Sequence, residues 1–144
     1  MPKQHFNDYL LYQMAMASHV ISQGFHDELA KTDIGPVAWR ILYCVWSSPG
    51  MRLTELARHV LYKQPRVTKR VAQLEKEGLL EKIVKKEDRR NVYLHLTDKG
   101  KALVVPLIKK SEDHENAVFS VLSPDDLKSF RKTLAVLIAS ADTI

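Results

Sequence analysis

The chain has 144 residues, 45% of them apolar and 27% charged, enough for one globular domain with a real core and unlike a disordered or fibrous composition. Its net charge of +5 is unevenly spread: residues 51–101 hold fourteen basic and seven acidic side chains, against eight and ten in the remainder. The single cysteine, Cys44, excludes an intrachain disulfide, and no run approaches the ~18 apolar residues of a membrane span.

Residues 1–13 lack a cationic stretch followed by an apolar run, so a cytoplasmic protein with no membrane partner is expected. A helical pattern covers about residues 6–31, with Phe6, Leu10, Met14, Ala17 and Ile21 near one face. Asp33-Ile34-Gly35-Pro36 breaks it, and Pro36 opens a second helix over 37–47 that carries Trp39, Tyr43 and Trp46 at i, i+4 and i+7. Ser48-Pro49-Gly50 is a turn. Thr54 then caps a short helix to Val60, and Leu61-Tyr62-Lys63 connects it to the next.

That next helix, residues 64–77, is amphipathic with a basic outer face. Val67, Val71 and Leu74 form its inward stripe, while Arg66, Thr68, Lys69, Arg70 and Gln73 fall outside it. Pro65 suits the first turn and Gly78 stops the helix. Two β-prone runs, 80–85 and 91–96, flank five charged residues, Lys86-Glu87-Asp88-Arg89-Arg90, and read as a hairpin. Thr97-Asp98-Lys99-Gly100 caps a helix to about Val121, which Pro106 should kink. Ser123-Pro124-Asp125-Asp126 starts the last helix, whose apolar face is Leu127, Phe130, Leu134, Leu137 and Ile138.

Helix, short turn, basic second helix and basic hairpin together form a winged helix-turn-helix pattern, and positive charge segregated there suits a polyanion. A merely solvated charged face would explain the helix but not the whole block. The motifs Trp39-Arg40-Ile41-Leu42, Leu53-Thr54-Glu55-Leu56-Ala57, Val67-Thr68-Lys69-Arg70-Val71, Leu74-Glu75-Lys76-Glu77-Gly78-Leu79, Asp88-Arg89-Arg90 and Leu96-Thr97-Asp98-Lys99-Gly100 stand in sequence. In this order and spacing they resemble the MarR (multiple antibiotic resistance regulator) family of bacterial transcription factors over nearly the whole chain.

The resemblance implies a mainly α fold in a single domain, 1–144. A three-helix core plus β-hairpin wing, about 36–100, would be the DNA-binding lobe, and about 1–35 and 101–144 the dimerisation helices. It implies a homodimer on double-stranded DNA and a small anionic ligand bound between the two regions that releases the DNA. By position the recognition helix is 64–77, the wing arginine that enters the minor groove falls on Arg90, and Asp88 matches the acid that orients that arginine or a neighbour. The family often caps the recognition helix with Ser, Thr or Asp, where this chain has Gln64-Pro65.

The candidate DNA contacts are Gln64, Arg66, Thr68, Lys69 and Arg70 on the helix and Lys85, Lys86, Asp88, Arg89 and Arg90 at the hairpin. Arg66 and Lys69 are the candidates for base reading, since recognition helices reach bases with their N-terminal turns; the alternative is phosphate contact alone. Met14, Trp39, Arg40 and Tyr43 are candidates for an anionic aromatic effector, against the alternative that the stripe is core and Arg40 plain surface. The six histidines show no HxxxH or CxxC spacing, His19 and His26 are seven apart, and Glu112, Asp113, His114 and Glu115 point around a helix, so no metal or cofactor is expected. Cys44, in an apolar helix, is expected to be inert. No Gly-rich phosphate loop or GxSxG elbow points to an enzyme. The expectation is a dimeric, sequence-specific regulator, a repressor on a palindromic operator. The alternative is an architectural DNA-binding protein with neither operator nor effector.

Overall fold

Apolar side chains from five helices and two strands converge on one core. The computed structural model describes residues 6–141, and the chain divides after Ser111 into two units. Among the described residues there are six α-helices, a short 3-10 turn at Phe6–Asp8 and one antiparallel sheet.

The first unit holds α1 (Leu10–Ala30), α2 (Pro36–Ser47), β1 (Met51–Arg52), α3 (Leu53–His59), α4 (Gln64–Lys76), β2 (Leu80–Lys85), β3 (Asp88–Leu96) and the first part of α5 (Asp98–Phe119). Ile41, Leu42 and Val45 of α2, Leu56 of α3, Val67 and Val71 of α4, Leu94 of β3 and Val104 of α5 have no exposed surface. Each contributes ~1.5–3 kcal/mol of burial. From α1 only Phe25 and Leu29, near its C-terminal end, are buried; Leu10, Leu11, Met14, Met16 and Val20 are exposed. Phe6, the first member of the expected stripe, lies outside the residues whose side chains are described.

The structure departs from the sequence expectation at two local points. Thr54 is not a cap, because α3 begins one residue earlier, with Arg52 in the cap position. The reason is a strand too short to show a period: β1 pairs Met51 with Leu94 and Arg52 with Tyr93, so the backbone stays extended up to Arg52 and the helix follows at once. The sheet therefore has three strands, in the order β1-β3-β2. The second correction concerns the hairpin, whose turn is Lys86-Glu87 alone; Asp88, Arg89 and Arg90 belong to β3.

Helix α4 ends in a Schellman motif. Gly78 takes φ +75, its N–H donates to the Glu75 carbonyl, and the Leu79 N–H donates to the Leu74 carbonyl. The start of α5 grips this end. Thr97 Oγ1 donates to the Gly78 carbonyl at 2.5 Å and accepts the Gly100 N–H at 3.0 Å. The Thr97 N–H donates to the Leu79 carbonyl, and Lys99 Nζ to that of Glu77. One side chain thus caps α5 and fastens it to α4. Helix α5 then runs through Pro106 as one element, burying Val104, Leu107 and Ile108.

The second unit comprises the end of α5 and α6 (Pro124–Ala141). Ser123 Oγ accepts the Asp126 N–H at 3.1 Å, the cap expected from Ser123-Pro124-Asp125-Asp126. Phe119 and Phe130 lie 6.3 Å apart, and Arg131 pairs with Glu115 at 2.8 Å. No residue of α6 is buried within the chain, although Phe130, Val136, Leu137 and Ile138 are large and apolar.

The junction makes an unusual sign testable. Replacing a helical glycine by alanine ordinarily stabilises by ~1 kcal/mol. At Gly100 the added carbon would stand 2.2 Å from the Leu79 carbonyl oxygen, a backbone atom that cannot swing away. Gly100→Ala is therefore expected to destabilise by ~1–3 kcal/mol, read as a lowered urea midpoint. A raised midpoint would show that the junction yields freely.

Candidate nucleic-acid interface

Helix α4 is held from three sides, and only its outer face is left to solvent. Val67, Val71 and Leu74 point into the core, Pro65 stands in the first turn, and Gly78 fixes the end. Gln64, Arg66, Thr68 and Lys69 are exposed. Arg70 is half-buried and lies 3.7 Å from Glu77, so part of its charge is spent within the helix. Arg66 and Lys69 form no ion pair among the described residues. Arg66, Lys69, Arg70 and Gln73 line a cleft of about 440 Å³ whose other wall is the first turn of α2, Gly35 to Ala38. Two unpaired cations beside a helix N-terminus give a strongly anion-attracting surface.

The hairpin is irregular where its charge is highest. Ile83 pairs with Tyr93 and Lys85 with Asp88, so Val84 alone on β2 faces Arg89, Arg90, Asn91 and Val92 on β3. Such a bulge redirects side chains. Asp88 pins it: its carboxylate accepts Asn91 Nδ2 at 2.6 Å, the Arg90 backbone N–H at 3.2 Å and the Tyr93 hydroxyl at 3.3 Å. Asp88 thus acts on Arg90 through the backbone amide. Lys85 Nζ lies 4.2 Å from the centroid of the Tyr93 ring. Lys86, Arg89 and Arg90 are exposed and without ion pairs among the described residues. Asn91 and Tyr93 escaped the sequence reading; an Asp directly after a turn, followed three residues later by Asn, was the available signal.

The aromatic stripe of α2 divides. Trp39 joins the core, 5.1 Å from Phe25, while Tyr43 and Trp46 are 42% and 40% exposed. The buried face of α2 is Ala38, Ile41, Leu42 and Val45, which leaves Trp39 at its edge and turns the next two rings outward. Trp39, Tyr43 and Trp46 still form a continuous ladder, at 5.5 and 6.2 Å. Arg40 faces Tyr62 of the α3–α4 turn, and Met14 stands exposed on α1. Burial pushes the Cys44 thiol up, against the Arg40 charge that acts to lower it. Among the described residues no cluster of His, Cys, Asp and Glu could hold a metal, and no helix is long and apolar enough to cross a membrane.

The Asn91 amide, and after it the Arg90 and Tyr93 donors, hold the Asp88 carboxyl below its ordinary range. A lowered folded value means that this contribution to wing order is complete above the unfolded carboxyl value, ~3.9, and is lost as pH falls through the lower folded one. The protection of the Arg90 amide, its exchange rate relative to an unstructured amide at the same pH, should therefore hold down to about pH 4 and fall below it, and Asp88→Ala should remove that protection above pH 4. Equal exchange in the variant and the parent would show that Asp88 does not order the wing.

Residues 34–92, from the entry to α2 into the bulge, match the model of the MarR family. A MarR family transcriptional regulator from Silicibacter pomeroyi DSS-3 is 31% identical, with 92% of this chain and 95% of that one aligned at a TM-score of 0.82. The transcriptional repressor CouR, solved on a 23-mer DNA duplex, is 25% identical over 96% of this chain and 99% of its own, at a TM-score of 0.80. NadR, solved in complex with 4-hydroxyphenylacetate, shares the fold at 24% identity and a TM-score of 0.83, over 95% and 97% of the two chains. With this fold, this helix-turn-helix and a full-length relative above 30% identity, the chain belongs to the MarR family of transcriptional regulators.

Proposed function

We propose that the protein is a homodimeric, sequence-specific repressor that binds a palindromic operator and leaves it when a small anionic or aromatic ligand binds. The observation that carries the reading is the pairing of two cations on α4 that have no carboxylate partner among the described residues, Arg66 and Lys69, with a bulged, arginine-bearing wing that follows the helix directly through Gly78. Arg66 and Lys69, in the first turns of α4, read base edges in the major groove, with Gln64, Thr68 and Arg70 beside them. Lys85, Lys86, Arg89 and Arg90 take phosphates and the minor groove, whose negative potential depends on width more than on base identity. That CouR binds a DNA duplex in the same fold supports this.

The dimer reading rests on apolar surface. Leu10, Leu11, Met14, Met16 and Val20 on α1, and Phe130, Val136, Leu137 and Ile138 on α6, are exposed in the single chain. A second copy would cover such faces across a two-fold axis, with residues of about 1–35 and 101–144 as the dimerisation region. The effector reading rests on the Trp39–Tyr43–Trp46 ladder, which offers an aromatic ligand two exposed rings, and on the 4-hydroxyphenylacetate held by NadR. An aromatic carboxylate would then quench tryptophan fluorescence and weaken DNA binding together.

Selection from a random duplex library tests the central reading. The protein should enrich a pseudo-palindrome with half-sites ~10 bp apart and bind it at least ~10³-fold more tightly than random DNA. Arg66→Ala should cost ~1–3 kcal/mol and relax preference at one base pair per half-site, while Arg90→Ala should weaken all sequences and lower the salt slope by about one unit per subunit. Enrichment of no sequence would leave an architectural DNA binder. A stable monomer at micromolar concentration in sedimentation would remove the dimer.

A further inference from the structure

Two guanidinium groups converge on one ring in the turn of the helix-turn-helix. Arg40 Cζ on α2 lies 5.6 Å from the centroid of the Tyr62 ring, and Arg66 Cζ on α4 lies 4.8 Å from it. Both are inside the ~6 Å over which a ring face attracts a cation. Tyr62 is half-buried against the core and follows Leu61, which occupies the left-handed region at φ 63. The fold therefore fixes where the ring stands.

Neither arginine has a carboxylate partner among the described residues. Two like charges drawn to one ring repel each other, and the arrangement gains most when an anion reaches both. Arg40 lies one helical turn beyond Pro36, and Pro36, Val37, Arg66 and Lys69 line the cleft between α2 and α4. The cationic surface thus extends from α4 onto α2.

On the reading that the chain is a sequence-specific DNA-binding regulator, we infer that Tyr62 is a positioning residue: it holds Arg66 for base reading and Arg40 against a backbone phosphate, so that α2 is part of the DNA-binding surface. Attraction to the ring restricts a side chain that otherwise loses much rotamer freedom on binding. It leaves the guanidinium N–H donors free for guanine or phosphate oxygens. Tyr62 itself need touch no DNA.

The experiment measures binding, over a series of salt concentrations, to two duplexes of equal length: one enriched by the parent protein from a random library, and one unselected. Tyr62→Leu should weaken the enriched duplex by ~2–5-fold per half-site and broaden preference at the base pair that Arg66→Ala broadens. Tyr62→Phe should match the parent. The double variant Tyr62→Leu/Arg66→Ala should be no less selective there than Arg66→Ala alone. Arg40→Gln should lower the salt slope on both duplexes by ~0.9 per subunit and leave base preference unchanged. If Tyr62→Leu melts too early to assay, Tyr62→pentafluorophenylalanine keeps the ring's size, inverts the charge of its face and should give the same loss. Parent-like preference in Tyr62→Leu or the fluorinated variant, or additive effects in the double variant, overturns the inference while the regulator stands. Failure of the parent to enrich any sequence overturns both.

Discussion

The presentation of the basic face of α4 depends on one threonine and one glycine at the start of α5. A recognition helix is useful only if its outer face is held still while its inner face is buried, and a short helix does not manage that by propensity alone. Here the C-terminal end of α4 and the two residues after it are tied down by the Lys99 ammonium, the Thr97 hydroxyl and the Thr97 amide, which donate to the carbonyls of Glu77, Gly78 and Leu79. Gly100 lets the two backbones approach so closely that any side chain would collide with Leu79. The strand that becomes the wing leaves from the same point. The orientation of α4 and the root of the hairpin are therefore set by a single contact.

From that junction the electrostatics follow. Among the described residues the core of the first unit contains no buried polar or charged side chain, so every cation of the central third is pushed to the surface. Several are consumed locally: Arg52 by Glu55, Arg70 by Glu77, Lys82 by Glu75. Among the cations without a carboxylate partner in the described residues are Arg66 and Lys69 on α4 and Lys86, Arg89 and Arg90 in the hairpin, in the elements a winged helix-turn-helix presents to DNA. Asp88, which follows Glu87 at the start of β3, spends its carboxylate on two amides and a hydroxyl within the bulge that carries the arginines.

What could be read from the sequence was chemistry that acts over a few residues. Pro36, Gly78, Thr97 and Ser123-Pro124 mark helix ends because capping needs only neighbouring atoms, and all four stand where that chemistry puts them. The stripe Val67, Val71, Leu74 was legible for the same reason. Features that need a partner from elsewhere were not. Met51-Arg52 forms a strand only because Leu94 and Tyr93 lie beside it. Asp88-Arg89-Arg90 looks like loop from its charge, yet is strand, because the bulge is held by side-chain bonds to Asn91 and Tyr93. The spacing of Trp39, Tyr43 and Trp46 suited either core or surface; the neighbouring set Ala38, Ile41, Leu42, Val45 took the core. Tyr62 carried no local mark, since its significance appears only when α2 and α4 lie side by side.

The central claim is that one continuous surface, the outer face of α4 with the bulged wing, meets DNA while the core and the α4–α5 junction stay unchanged. Backbone amide chemical-shift mapping during titration with an enriched duplex measures this residue by residue. The account predicts the largest perturbations at residues 64–70 and 85–91, with Leu56, Val71 and Val104 in the core nearly unmoved. Perturbations concentrated on α1 and α6, with α4 and the wing silent, would contradict it.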